Sequence, residues 1–149
     1  MNKETSNIKN IAIIRIRGIT GVKHDIDDTL KKLRLYKSNC CVILPNTPAY
    51  LGMIRKVKDY VTWGEIDEKT YKDLIDKRSE EYKGDVSDRQ GKIQYKGFSD
   101  SNGKKIKKLF RLNSPKKGYG RKGVKVSFKN GGALGPREDK INDLIQRMI

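Results

Sequence analysis

Histidine is all but missing from this chain: His24 stands alone among 149 residues. A Ser-His or Cys-His nucleophilic pair would have to run through it, and no serine or cysteine stands beside it in sequence. Cysteine is nearly as scarce. The two present, Cys40 and Cys41, are adjacent, so their Cα atoms lie about 3.8 Å apart, too close for an unstrained disulfide. They read as small apolar groups in a reducing compartment. Neither C-x-x-C nor a paired-histidine spacing occurs, which leaves zinc unsupported. Long apolar runs are also absent, none approaching the ~20 residues that cross a bilayer. The opening MNKETSNIKN has neither the apolar core nor the cleavage site of a signal peptide. The expectation is a soluble, intracellular chain with no membrane partner, no cofactor and no catalysis.

Negative charge is missing from one whole stretch. From Gly103 to Asn130 there is no Asp or Glu, while Lys104, Lys105, Lys107, Lys108, Arg111, Lys116, Lys117, Arg121, Lys122, Lys125 and Lys129 crowd together, interrupted by Phe110, Tyr119 and Phe128. The chain carries 34 Lys and Arg against 18 Asp and Glu, a net charge of +16. Such an excess repels itself and calls for a polyanion, either nucleic acid or an anionic membrane surface. Interleaved aromatics favour nucleic acid, because bases stack on them. Acidic residues predominate instead from Glu65 to Asp88.

What is present alternates between strand and helix patterns. IAIIRIR, Ile11 to Arg17, puts Ala12, Ile14 and Ile16 on one face and Ile11, Ile13, Arg15 and Arg17 on the other, as a strand does. A helix follows, with Ile26, Leu30 and Leu33 at helical spacing and Asp25, Asp27 and Asp28 where a helix N-terminus favours negative charge. His24 reads as a loop residue before it. CCVILP is a short buried strand ended by Pro45, Thr47 can cap a helix that Pro48 opens, and VTWGEI is a third strand with Trp63 half buried. Strand, helix, strand, helix, strand within so few residues fits an α/β sandwich with both helices on one face of a small sheet. A further helix is expected through Tyr71, Leu74, Ile75, Arg78 and Tyr82, then an irregular excursion over 83–103. Val124 to Phe128 alternates as a strand with Val124, Val126 and Phe128 inward, and Ile141, Leu144, Ile145 and Met148 mark an amphipathic terminal helix.

GYGRKG, Gly118 to Gly123, spells the G-x-G-x-x-G pattern of dinucleotide sites. That fingerprint needs a strand before the glycines and a helix opened by them. Here Ser114, Pro115, Lys116 and Lys117 precede, and the helix is missing. In a loop rich in cations, glycines let the backbone approach a phosphate chain and supply positive φ where the path bends. Tyr119 is then placed to stack on a base or pack on a sugar.

IRGITGVKHDIDDTLKKLRL, NTPAYLGMIRKVKDYVTWGEID and FRLNSPKKGYGRKGVKVSFKNGGALGPREDKINDLI closely resemble the L-thirty family of large-subunit ribosomal proteins, in the longer archaeal form related to eukaryotic L-seven. The most specific blocks run from Ala49 to Glu65 and from Phe110 to Gly135. Asn113, Ser114 and Pro115 stand where relatives often have a histidine and two prolines, and 83–107 matches poorly. The resemblance implies an α+β fold: a β-α-β-α-β core related to the ferredoxin fold with a small antiparallel sheet, plus a C-terminal extension bearing the basic loop and terminal helix. Residues 1–10 would be a tail, 11–66 the core and 67–149 the extension, forming one compact domain. It further implies a structural constituent of the large ribosomal subunit that binds large-subunit rRNA near 5S rRNA, among neighbouring ribosomal proteins. The short segment before the first strand points to an archaeal cytoplasm.

Cations then bind by neutralising phosphates and releasing counterions. Lys116, Lys117, Tyr119, Arg121, Lys122 and Lys125 lead the candidates, with Arg111 beside them, followed by Arg15, Arg17, Lys23, Arg55 and Lys56. On a sheet face Arg15 and Arg17 could equally be solvated or paired with carboxylates. The alternative is a free RNA chaperone or nucleic-acid-binding regulator using the same surface.

Overall fold

The structure, a computed structural model, describes residues 9–149. Most of the expected tail, residues 1–8, lies outside the described residues. The alternation read from the sequence is there: β1 Asn10–Arg15, α1 His24–Lys32, β2 Cys40–Pro45, α2 Pro48–Lys56 and β3 Val61–Glu65. Strand β1 lies in the middle, antiparallel to both neighbours, with Ile13 opposite Val42 on one side and Trp63 on the other.

The near-continuous apolar run of β1 has a physical cause, since both faces of the sheet are covered. Ile11, Ile13, Cys40 and Val42 pack with Leu30 of α1 and Ile54 of α2. Ala12, Ile14 and Cys41 pack on the opposite face with Leu74, Ile141, Leu144, Ile145 and Met148. The adjacent cysteines therefore point into different halves of the core and are free thiols, and burial pushes the Cys41 thiol up to about 12. The Thr47 side chain accepts from the Tyr50 N–H at 3.5 Å and Pro48 opens α2, in keeping with the sequence pattern.

The second layer is α3 Glu68–Arg78 and α4 Ile141–Met148. Asn142 joins it to the sheet. Its Oδ1 accepts from the Asp67 N–H at 2.9 Å, and its Nδ2 donates to the carbonyls of Glu65 and Asp139 at 3.1 and 3.0 Å. One side-chain amide thus takes one of the N–H groups at the start of α3, where Asp67 makes no side-chain cap of its own.

Four expectations need correction. His24 is the first residue of α1, with Lys23 as its N-cap. Helix α3 stops at Arg78, and Tyr82 lies past it, stacked against Phe98 at 5.1 Å. The excursion ends in a hairpin, β4 Phe98–Ser101 and β5 Lys104–Lys107, turned by Asn102 and Gly103 at φ 49° and 74°. Val124 to Phe128 is not a strand. It turns at Gly123 (φ 82°), keeps one bridge from Ser127 to Leu134, and enters a 3-10 turn at Phe128–Asn130. A strand needs a partner to take its amides, and here the adjacent chain is the tight Gly131–Gly132 turn. Finally β6 Phe110–Arg111 and β7 Gly135–Pro136 widen the sheet to the order β6-β2-β1-β3-β7. The β3–β7 pair is parallel, an addition to the antiparallel sheet expected.

Candidate nucleic-acid interface

The basic loop is built outward from the last turn of α4. There the Asn113 and Lys116 N–H groups donate to the carbonyls of Met148 and Arg147, each at 3.0 Å. Arg147 Nη1 returns two bonds, to the carbonyls of Lys116 at 3.1 Å and Gly118 at 2.7 Å. A turn from Pro115 to Gly118 follows, with Lys117 and Gly118 both in the left-handed region at φ 67° and 74°. The chain then closes on itself. A Cβ on Gly120 would stand 2.8 Å from the Gly131 carbonyl oxygen, and one on Gly132 would overlap the Val126 carbonyl. Gly120 thus serves close approach of backbone to backbone, and no helix follows the G-x-G-x-x-G spelling.

Along this closed loop Lys116, Lys117, Arg121, Lys122 and Lys125 are all exposed or half-exposed at the surface. Among the described residues none has a carboxylate within 4 Å of its side-chain nitrogens. Behind the loop sits Arg137, 3% exposed, whose Nε donates to Thr62 Oγ1 at 2.9 Å and whose Nη2 donates to the Ala133 carbonyl at 3.1 Å. Its guanidinium lies 4.5 Å from the Phe128 ring centre. Burial, with a smaller push from Arg147, lowers Arg137 to about 10. Arg137 thus adds a buried positive charge that no carboxylate of the described residues contacts.

Tyr119 does not project as expected. Its ring packs against the core layer that includes Leu144 and Met148, and its hydroxyl donates to Asn39 Oδ1. Burial pushes the phenol upward from its ordinary value. Tyr119 anchors the loop, and stacking on a base would require it to leave that seat.

Arg15 also needs correction. It is 1% exposed and touches neither solvent nor a carboxylate of the described residues; its guanidinium donates to the carbonyls of Leu35, Arg17 and Gly18 at 2.8, 3.0 and 3.0 Å. Those three carbonyls belong to bends that no ladder serves, so the fork geometry of Arg fastens them. Replacing Arg15 by Lys keeps the charge and loses the fork. The expected cost is about 2 kcal/mol in urea unfolding, from carbonyls left unpaired, with RNA affinity measured on the folded fraction unchanged.

The remaining candidates fall into separate places. Arg17 is half buried, its guanidinium 4.8 Å from the Tyr60 ring centre. Arg111 is exposed, but Nε lies 3.4 Å from Glu80 Oε1, while Lys107 holds the other oxygen of that carboxylate at 2.9 Å. Lys107 and Arg111 together keep the Glu80 carboxyl below its ordinary value, the Lys107 hydrogen bond first. Lys23 at the start of α1 and Arg55 and Lys56 in the last turn of α2 are exposed. They belong to the helical layer on the sheet face opposite to the one Tyr119 packs on. The structure thus unites 116–125, leaves Lys23, Arg55 and Lys56 on another surface, and buries Arg15. Sequence reading passed over Tyr36 and Lys37, which lie beside Asn39 at the root of the loop. An aromatic–cation pair four residues past the end of a helix was the available signal.

Residues 11–61 match the family described as Ribosomal protein L30p/L7e. Large ribosomal subunit protein uL30 of Nanoarchaeum equitans is 47% identical, over 93% of this chain and 97% of its own length. The protein of the same name from Methanococcus maripaludis is 46% identical over 93% and 98%, and that from Methanopyrus kandleri 39% over 90% and 100%. All three organisms are archaea, and each match covers nine-tenths or more of this chain, well beyond the 11–61 matched by the family model.

Proposed function

The chain belongs to the ribosomal protein L30p/L7e family, and we propose on that footing that its loop 113–130 is laid on the RNA of the large ribosomal subunit. The protein is a structural constituent of that subunit in the cytoplasm, and its role is binding and positioning. One observation carries the reading of the loop: five surface cations on a backbone closed by glycines and pinned by Arg147, none with a carboxylate of the described residues at contact. A rigid, unneutralised cationic surface meets phosphates without first paying for ordering.

Ribosomal neighbours are part of the same proposal. Nearness to 5S rRNA, which the resemblance implies, is its finer form. Sedimentation tests the whole reading: the chain is expected to travel with large subunits through a high-salt wash. A free pool that washes away would favour the unattached RNA chaperone. Hydroxyl-radical footprinting of large-subunit rRNA with and without 5S rRNA separates the finer claim, which protection of 5S positions supports and its absence refutes.

A further inference from the structure

The cleft at the root of the basic loop is, we infer, a seat for one unpaired nucleobase of an RNA strand, stacked on Tyr36. The inference rests on the RNA-binding reading above and goes beyond the phosphate contacts of the loop. The cleft measures about 400 Å³, within the roughly 300–1,000 Å³ typical of small-ligand sites. Its floor is apolar, from Leu109, Leu112 and Cys40, and its rim carries Tyr36, Lys37 and Arg111. Tyr36 is 49% exposed, a large aromatic surface open to a ligand. Among the described residues no carboxylate lines the cleft.

The rim is held in place. Arg34 and Asn39, neither of them glycine, sit at φ 64° and 63° at the two ends of the segment that presents Tyr36 and Lys37. Between them the Leu35 carbonyl is fastened by Arg15, and the Asn39 N–H donates to the Arg15 carbonyl at 2.7 Å. Arg34 in the left-handed region costs roughly 1–2 kcal/mol and persists where its surroundings over-determine it, while Asn is a residue type that adopts that region readily. The segment therefore offers a pre-set aromatic face.

Asn39 joins this cleft to the basic loop. Its side chain accepts from Tyr119, its carbonyl accepts from the Leu112 N–H at 3.0 Å, and Asn39 itself lines the cleft. Tyr119 follows Lys117 by two residues, so the Tyr119 bond ties the cleft to the stretch of loop that carries Lys116 and Lys117. Lys37, which contacts no carboxylate of the described residues, stands ready for the phosphate beside a base that turns in, while Arg111, also at the rim, shares Glu80 with Lys107. An apolar side chain of a protein neighbour would fill the floor equally well, but would leave Lys37 without a counter-charge from the ligand. Charge complementarity therefore selects the nucleotide.

The test uses the full chain with naked large-subunit rRNA, in filter binding and in cross-linking of rRNA carrying 4-thiouridine. Tyr36→Ala is expected to weaken binding about tenfold, in the range a lost stacking contact produces. The salt slope should not change, because no cation is removed. Tyr36→Phe, which keeps the ring, should restore binding, and the cross-link should map to Tyr36. Affinity within about twofold of the unmodified chain, a difference too small for a lost stacking contact, with no cross-link in 34–40, overturns the proposal even if the loop variants still lose binding. Normal rRNA affinity for Tyr36→Ala with impaired assembly into subunits overturns it too, and gives the cleft to a protein neighbour. If variants of the loop cations also bind normally, the RNA reading itself fails, and this one with it.

Discussion

Replacing Gly64 by alanine is expected to destabilise the fold by about 3 kcal/mol, at the upper end of what overpacking costs. Gly64 lies in β3, paired with Ala12 of the central strand. A Cβ there would overlap the carbonyl oxygen of Glu138 and approach Ile141 Cγ2 to 2.8 Å. Glu138 O is backbone, held in the 3-10 turn Glu138–Lys140 that leads directly into α4, and Ile141 is fully buried. Neither can retreat alone. Making room means lifting the start of α4 from the sheet, which would strain the Asn142 bonds to β3 and α3 and the burial of Leu144, Ile145 and Met148. Thermal melts should show the midpoint falling by roughly 10 °C, given some 2–4 °C per kcal/mol for a chain of this size. Gly52→Ala is the control, since Gly52 sits in α2 and a Cβ added to it would meet nothing within 4 Å. That variant should gain roughly 0.5–1 kcal/mol from better helix propensity. If the two variants melt alike, β3 and α4 are not packed as described.

Much of this architecture was legible because period and burial agree. Ile11 to Ile14 fall on two faces, both faces are covered, and the spacing of Ile141, Leu144, Ile145 and Met148 matches the apolar part of the buried stripe of α4, to which the fold adds Asn142. Thr47 followed by Pro48 marked a helix start through local chemistry that tertiary context did not override. Where the reading failed, a partner decided. Val124 to Phe128 alternates like a strand, yet the chain beside it is a glycine turn and the β3 edge is taken by β7. Arg15 shared a face with Ile11 and Ile13, and nothing in the pattern told that bends at Arg17, Gly18 and Leu35 would bring three carbonyls to its guanidinium. The hairpin over 98–107 did carry a signal: Asn-Gly is a strong turn dipeptide for paired strands because both residues tolerate positive φ. It was obscured by the short polar strand before it, FSDS, and the lysine-rich one after it, KKIK. Of the candidate interface, the loop cations were readable from composition alone. Their common anchor was not, because Arg147, Asn39 and Tyr119 come together from distant parts of the chain.

Changing Lys116, Lys117, Arg121 and Lys122 together to alanine should leave the melting midpoint within a few degrees and lower rRNA affinity by about a thousandfold at about 0.1 M salt. The first half follows from exposure: all four side chains are at the surface, without a carboxylate of the described residues at contact. What holds the loop is elsewhere, in the backbone bonds to α4, the Arg147 guanidinium, the Tyr119 anchor and the close approach at Gly120 and Gly132. The second half follows from counterion release. Each phosphate neutralised contributes about 0.7–0.9 to the slope of log affinity against log salt, so losing four should flatten that slope by about 3. The pairing of the two readouts is what discriminates. A variant that loses affinity with an unchanged slope has lost a shape or stacking contact, and an unchanged affinity with an unchanged slope takes the loop off the RNA. The same substitution on the other basic surface, at Lys23, Arg55 and Lys56, sets the comparison. Those residues stand on the opposite side of the sheet, so an equal loss there would mean that rRNA wraps both faces, whereas no loss would confine the grip to the layer that α4 supports.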